Sequence, residues 1–210
     1  MVRIIGNLIS LNQRLRSRYL HQLLHKQESG NYDNRNNVDR IPKILVQFWD
    51  DKYSIPKDVQ KCLESWSILE DFGFRRVLFD EKSAEVFIRE NYSSKYLRAY
   101  KKCLHPAMKA DYFRLCFIYL NGGFYVDADN VYKSMNLESM FMDTKVKIQP
   151  LCYDKLTDSM VSSNEFLTLD KFTNNLVYYV NNDPLISPPK HDLINIALER
   201  ATKNLLRRRV

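Results

Sequence analysis

The sequence predicts an α/β layer fold in one globular domain, and three observations predict it. Short apolar runs closed by turn residues alternate with longer segments of helical period, the pattern of helices laid on a sheet. The 210 residues are 45% hydrophobic and 12% aromatic, enough for one sizeable core near the upper end of single-domain length. No internal repeat interrupts the alternation.

The first predicted element is a basic amphipathic helix. Ile4, Leu8, Leu11, Leu15, Tyr19 and Leu23 recur at helical spacing, with Arg3, Arg14 and Arg18 between them. Two destinations are open to such a helix: its own domain, or an anionic membrane surface. Residues 28–40, "ESGNYDNRNNVDR", are polar and non-periodic and read as a linker, so residues 1–40 stand apart from a body of 41–210. "IPKILVQFW" then reads as a buried strand, closed by the turn residues of "DDKYSIP". Residues 56–70 read as helix, "FRRVLFD" as a second strand and "SAEVFIREN" as a helix capped by Ser83. The longest helix should run from Pro106, suited to a first turn, to Asn121–Gly122, where glycine can end it. Most of its surface is apolar, and Asp111 and Arg114 are its charged exceptions, three apart and so neighbours. "DLINIALERATKNLL" predicts a C-terminal helix whose basic end suits the helix dipole.

The formal charge of +7 argues for an anionic partner only until it is divided along the chain. Residues 1–26 and 200–210 each carry five Lys/Arg and no acid, which leaves 22 basic against 25 acidic residues between them. A nucleic-acid groove needs clustered cations in the body, so that class is excluded. Cys62, Cys103, Cys116 and Cys152 form no CxxC pair and lie in or beside apolar stretches, which predicts buried thiols. The four histidines are scattered and are left out of the expected site. No run reaches the ~18 apolar residues of a membrane span, and the N-terminus lacks a signal-like core, so a cytoplasmic protein is expected, with peripheral contact at the inner membrane face through the basic helix.

The chemistry concentrates in "GGFYVDADNVY", residues 122–132. With period two, Phe124, Val126 and Ala128 point one way and Tyr125, Asp127 and Asp129 the other. Both carboxylates then share a face at the C-terminal end of a strand, where open α/β sheets bind ligands. Carboxylates held so close repel unless a cation stands beside them, and Mg²⁺ or Mn²⁺ prefers oxygen ligands of this kind.

"KADYFRLCFIYLNGGFYVDAD" resembles the signature segment of the glycosyltransferases with a DXD sugar-binding region, family 32 of the sequence classification. Relatives there include polysaccharide mannosyl- and galactosyltransferases and the glucosylating domains of clostridial toxins. "IPKILVQFW" is similar to the strand that opens the catalytic domain of that family, and the resemblance runs from Ile41 to Tyr132 with a fainter echo after Asn174. It implies a GT-A-like fold with a nucleotide-binding mixed sheet, a UDP- or GDP-sugar donor, Mn²⁺ or Mg²⁺, and transfer with retention to a glycan, polysaccharide or lipid-linked acceptor. By the same resemblance Asp129 and Asp127 would hold the metal, with Asp127 also on the donor. Asp111 and Arg114 would hold sugar hydroxyls, Tyr125 would line the pocket and Trp49 would lie near the base. Val46 stands where many relatives carry histidine, and only 81 residues follow Asp129, without recognisable later segments, so the chain reads as a minimal or truncated member.

Two other functions fit some of these residues. "FYVDADNVY" also resembles the nucleophile motif of haloacid-dehalogenase-like phosphatases, with Asp127 attacking phosphate and Asp129 as acid/base. That reading leaves Asp111, Arg114 and the glycine pair without a role. The other is an inactive sugar-nucleotide-binding member.

Overall fold

The computed structural model describes residues 12–25, 41–134, 137–169 and 171–207. It has an α/β architecture with a six-stranded mixed sheet in the order β2-β1-β3-β6-β4-β5. In chain order the elements are α1 (Gln13–Leu24), β1 (Ile44–Phe48), α2 (Lys57–Ser65), a 3₁₀ segment (Trp66–Phe72), β2 (Arg75–Phe79), α3 (Glu81–Asn91), α4 (Ser94–Lys101) and α5 (Pro106–Asn121). There follow β3 (Gly123–Tyr125), α6 (Leu137–Phe141), β4 (Lys147–Asp154), β5 (Ser159–Val161), α7 (Ser163–Phe166), β6 (Leu176–Ser187) and α8 (Asp192–Arg207). Two compact units divide the described residues: those of 36–147 with 182–207, and those of 12–35 with 148–181.

In the larger unit β1 pairs in parallel with β2 on one side and β3 on the other, and β3 pairs antiparallel with the second half of β6. Alternation along the strands then splits the core. Val46, Phe48 and Tyr125 face a cluster with Ile88, Tyr100, Phe113, Phe117 and Leu198 from α3, α4, α5 and α8. Leu45, Phe124 and Ile186 face the opposite layer, with Trp66, Leu69, Phe74 and Leu137. Each fully buried aromatic or branched side chain here contributes roughly 1.5–3 kcal/mol of transfer free energy, so the sheet is fixed from both faces.

Local chemistry corrects two of the expectations. Asp80, and not Ser83, caps α3; Ser83 is the third helical residue, its amide donating to Asp80 Oδ1 at 2.8 Å while its hydroxyl accepts from the Asp80 amide at 2.8 Å. The helix predicted over 56–70 is α-helical only to Ser65 and tightens to 3₁₀ until Gly73, at φ 81°, ends it.

The smaller unit is built from α1, β4, β5, α7 and the first half of β6 around Cys152, Phe166, Leu176 and Tyr178. The face of α1 that packs is not the apolar stripe. Leu15, Tyr19 and Leu23 are 44–47% exposed, whereas Ser17 and His21 are buried and Leu20 and Leu24 lie against the cluster. Ser17 Oγ donates to the Leu176 carbonyl at 3.0 Å and accepts from the Tyr178 amide at 2.8 Å, so the hydroxyl satisfies β6 backbone. Ile4, Leu8 and Leu11 lie outside the described residues. Among the described residues no helix is long and apolar enough to cross a membrane.

Candidate active site

The strand order places a switch point beside β1, since the chain leaves it for β2 on one side and β3 on the other. Ligands of open α/β sheets sit outside the carboxyl ends of strands at such a point. A cavity of about 480 Å³ lies there. Phe48, Trp49 and Asp50 line it from the end of β1, Asp127, Ala128 and Asp129 from the end of β3, and Asn182 from β6. His105, Pro106, Ala107, Ala110, Asp111 and Arg114, at and after the start of α5, complete the wall. The volume falls within the ~300–1,000 Å³ of small-molecule sites.

The wall is organised by the reversal between α5 and β3. Proline at the first turn opens α5, whose cap is the His105 ring, Nδ1 accepting from the Ala107 amide at 3.2 Å. Gly122 and Gly123 then take φ 65° and 107°, and a Cβ on either would lie 2.6 Å from Pro189 N or 2.7 Å from the Ile44 carbonyl oxygen. Only glycine fits both the dihedrals and the space. This turn sends the chain back along α5, so that Asp127 meets Arg114.

Arg114 is the hub, although its side chain is only 3% exposed. Nη2 donates to Asp127 Oδ1 at 2.7 Å and pairs with Asp111 Oδ1 at 3.1 Å, while Nη1 donates to the Asn182 carbonyl at 2.9 Å. The guanidinium carbon stands 4.3 Å from the centroid of the Tyr125 ring. Arg114 Nε is buried without a hydrogen-bond partner, and the ring face beneath the guanidinium offsets part of that cost. Tyr125 is fully buried behind Arg114 and is absent from the cavity wall, so what it supplies here is support.

The period-two alternation holds through Asp127 and then turns. The Asn130 amide donates to the Asp127 carbonyl at 3.2 Å, which puts Asp129 at the exposed corner of a turn. Asp127 and Asp129 therefore differ. Burial pushes the Asp127 carboxyl up to about 6; Arg114 pulls against that rise and the nearby Asp183 carboxylate adds to it. Asp129 has no hydrogen-bond or ion-pair partner among the described residues. Two carboxylates, completed by water and phosphate oxygens, suit Mg²⁺ or Mn²⁺, which commonly bind through one or two protein carboxylates. Among the described residues no third His, Cys, Asp or Glu joins them in a metal-holding group.

Asp111, Arg114, Asp127, Asp129 and Trp49 thus converge on one cavity. Sequence reasoning missed His105, whose capping role keeps it in the wall, and missed the dipeptide Asn182–Asp183. Asn182 Nδ2 donates to Asp111 Oδ1 at 3.2 Å, and Asp183 accepts from the Asp127 amide at 2.9 Å and from Asn130 Nδ2 at 2.5 Å.

Residues 56–147 match the family model described as a glycosyltransferase sugar-binding region containing a DXD motif. This part of the chain is similar to a DXD glycosyltransferase region. The region contains Asp111, Arg114, Asp127 and Asp129, while Trp49, Asn182 and Asp183 lie outside its bounds. The chain is similar to an uncharacterized glycosyltransferase of Acanthamoeba polyphaga mimivirus, 34% identical over 92 residues, 43% of this chain and 36% of that one. It is also similar to the initiation-specific alpha-1,6-mannosyltransferase of Candida albicans, 28% identical over 96 residues, 43% of this chain and 25% of that one. The chain therefore spans well under half the length of either relative. Among solved structures it is similar to the PaToxG glycosyltransferase, with a TM-score of 0.48 and 12% identity over 90% of this chain and 66% of that one.

Proposed function

We propose that the chain transfers a hexose, with retention of configuration, from a nucleotide-diphospho-sugar to a glycan or polysaccharide acceptor. The observation that carries this reading is the Asp111–Arg114–Asp127 chain of contacts at the mouth of the switch-point cavity, with Asp129 free beside it. Asp111 is 55% exposed in its side chain and can accept hydrogen bonds from sugar hydroxyls, while Arg114 holds it in place. Asn182 donates to the same Asp111 oxygen, so the sugar meets a pre-set acceptor. Trp49 offers an aromatic surface at the end of β1 for the base.

Asp129 and Asp127 are the residues that would hold Mn²⁺ or Mg²⁺. Such an ion, when bound, neutralises the charge that develops on the departing diphosphate. Arg114 adds a fixed positive charge to the same wall, in a site where part of the water is excluded. Asp127 needs to be ionised for its part, and its elevated proton affinity ties that role to pH. The phosphatase alternative makes no use of Asp111 or of the Arg114 pair.

The test is donor hydrolysis by the purified chain without acceptor, over a panel of UDP- and GDP-sugars with Mn²⁺, followed by NMR. Release of free sugar that needs metal and is lost in Asp129→Ala supports the reading. Turnover unchanged by that substitution removes Asp129 from the mechanism, and phosphate-ester hydrolysis lost in Asp127→Asn would favour the phosphatase.

A further inference from the structure

We propose that Asp183 is a positioning residue that fixes the Asp127–Asn130 turn, and with it the orientation of Asp129, for catalysis. The inference rests on the glycosyl-transfer reading above. Asp183 lies on β6, 56 residues after Asp127, and neither end of its carboxylate is spent on the cavity. Oδ1 accepts from the Asp127 amide at 2.9 Å and Oδ2 from Asn130 Nδ2 at 2.5 Å, so one side chain spans both ends of the turn.

The turn has further anchors. Its own Asn130 amide reaches the Asp127 carbonyl at 3.2 Å, and Trp66 Nε1 donates to the Asn130 carbonyl at 2.7 Å. Beyond it the Tyr132 amide donates to Ser65 Oγ at 2.9 Å. Asp129, between these anchors, has no side-chain partner among the described residues, so its direction is set by backbone alone. A carboxylate is suited to this task because its two oxygens can each accept, and the Asp127 amide and Asn130 Nδ2 both donate to it.

Asparagine at 183 keeps one acceptor for the Asp127 amide, and Asn130 can rotate its amide to pair with the other end. Alanine keeps neither.

The experiment uses the full chain with Asp183→Ala, Asp183→Asn and Asn130→Ala, the last in case the alanine variant at 183 does not fold. Two readouts are taken: amide hydrogen exchange at 127–130, and kcat and KM for whichever UDP- or GDP-sugar the wild type hydrolyses with Mn²⁺. Asp183→Ala should speed exchange at the Asp127 amide at least ~10-fold with Val46 in β1 unchanged. It should also lower kcat ~100-fold, the scale of a 1 Å misplacement, with KM moved far less. Asp183→Asn should recover kcat to within ~10-fold of wild type, and Asn130→Ala should fall between the two. Unchanged exchange at Asp127 in folded Asp183→Ala overturns the proposal, as does kcat within ~3-fold of wild type. An asparagine variant as impaired as alanine also overturns it, because the charge itself would then be the requirement. Silence of the wild type on every donor sinks the transfer reading instead, and the exchange data still decide whether Asp183 holds the turn.

Discussion

Replacing Arg114 by methionine removes the hub of the site while filling its volume, and the structure sets both the size and the pH dependence of the effect. The substitution deletes the 2.7 Å pair with Asp127 and the 2.9 Å bond to the Asn182 carbonyl. Breaking a buried ion pair by removing one partner costs about 3–5 kcal/mol; Asp127 retains 34% side-chain exposure, so water reaches it and about 2–3 kcal/mol is expected at pH 8. At pH 5 the loss shrinks towards the ~1 kcal/mol of a neutral hydrogen bond. The sign follows from the raised pKa of Asp127. The folded state holds that proton more tightly than the unfolded chain, so the contribution is full below about 4 and is lost as pH rises through about 6. Without Arg114 the folded value climbs further, and the repulsion from Asp183 that is uncompensated at pH 8 is absent at pH 5. Urea unfolding followed by tryptophan fluorescence measures this, because both tryptophans, Trp49 and Trp66, lie in the larger unit. An equal loss at the two pH values, or a loss under ~1 kcal/mol at pH 8, refutes the reasoning.

Three other outcomes are expected. Gly123→Ala should cost about 2–3 kcal/mol in the same unfolding assay, since its Cβ would stand 2.7 Å from the Ile44 carbonyl oxygen at φ 107°; a loss below ~1 kcal/mol would show that the backbone can yield there. Asp129→Ala should leave unfolding within ~0.5 kcal/mol of wild type while donor turnover disappears, because the exposed carboxylate holds nothing in the fold. The kcat/KM profile of donor hydrolysis should fall on the acid side with a midpoint near 6 as Asp127 gains a proton; a flat profile down to pH 4.5 would remove Asp127 from the rate-determining chemistry.

Much of the larger unit was legible in the chain. The helix from Pro106 to Asn121, its glycine stop and the neighbouring Asp111 and Arg114 stand where periodicity and cap chemistry put them, because both are local signals. The first strand and the direction of Asp127 followed from short-range alternation in the same way, whereas Asp129, expected on the same strand face, lies on the exposed turn beyond it. Asn182 and Asp183 were not legible: their partners lie 53–71 residues away, and "NNDP" on its own reads as a turn. Nor was the packing of α1, where pattern alone turns Leu15, Tyr19 and Leu23 inward. The buried face instead carries Ser17 and His21, with His21 Nε2 2.8 Å from the Leu169 carbonyl oxygen; such polar residues can be buried only where a particular backbone group receives them. Ser83 misled for a smaller reason, since it belongs to the capping box without being its cap.

The most direct test of the central claim is acceptor-free hydrolysis of UDP- and GDP-sugars by the purified chain, with and without Mn²⁺, in wild type and Asp129→Ala. Free sugar should appear from at least one donor, dependent on metal, absent in the variant and accompanied by an unchanged urea midpoint. A folded wild-type chain that hydrolyses none of the panel, or a variant that turns over like wild type, contradicts it.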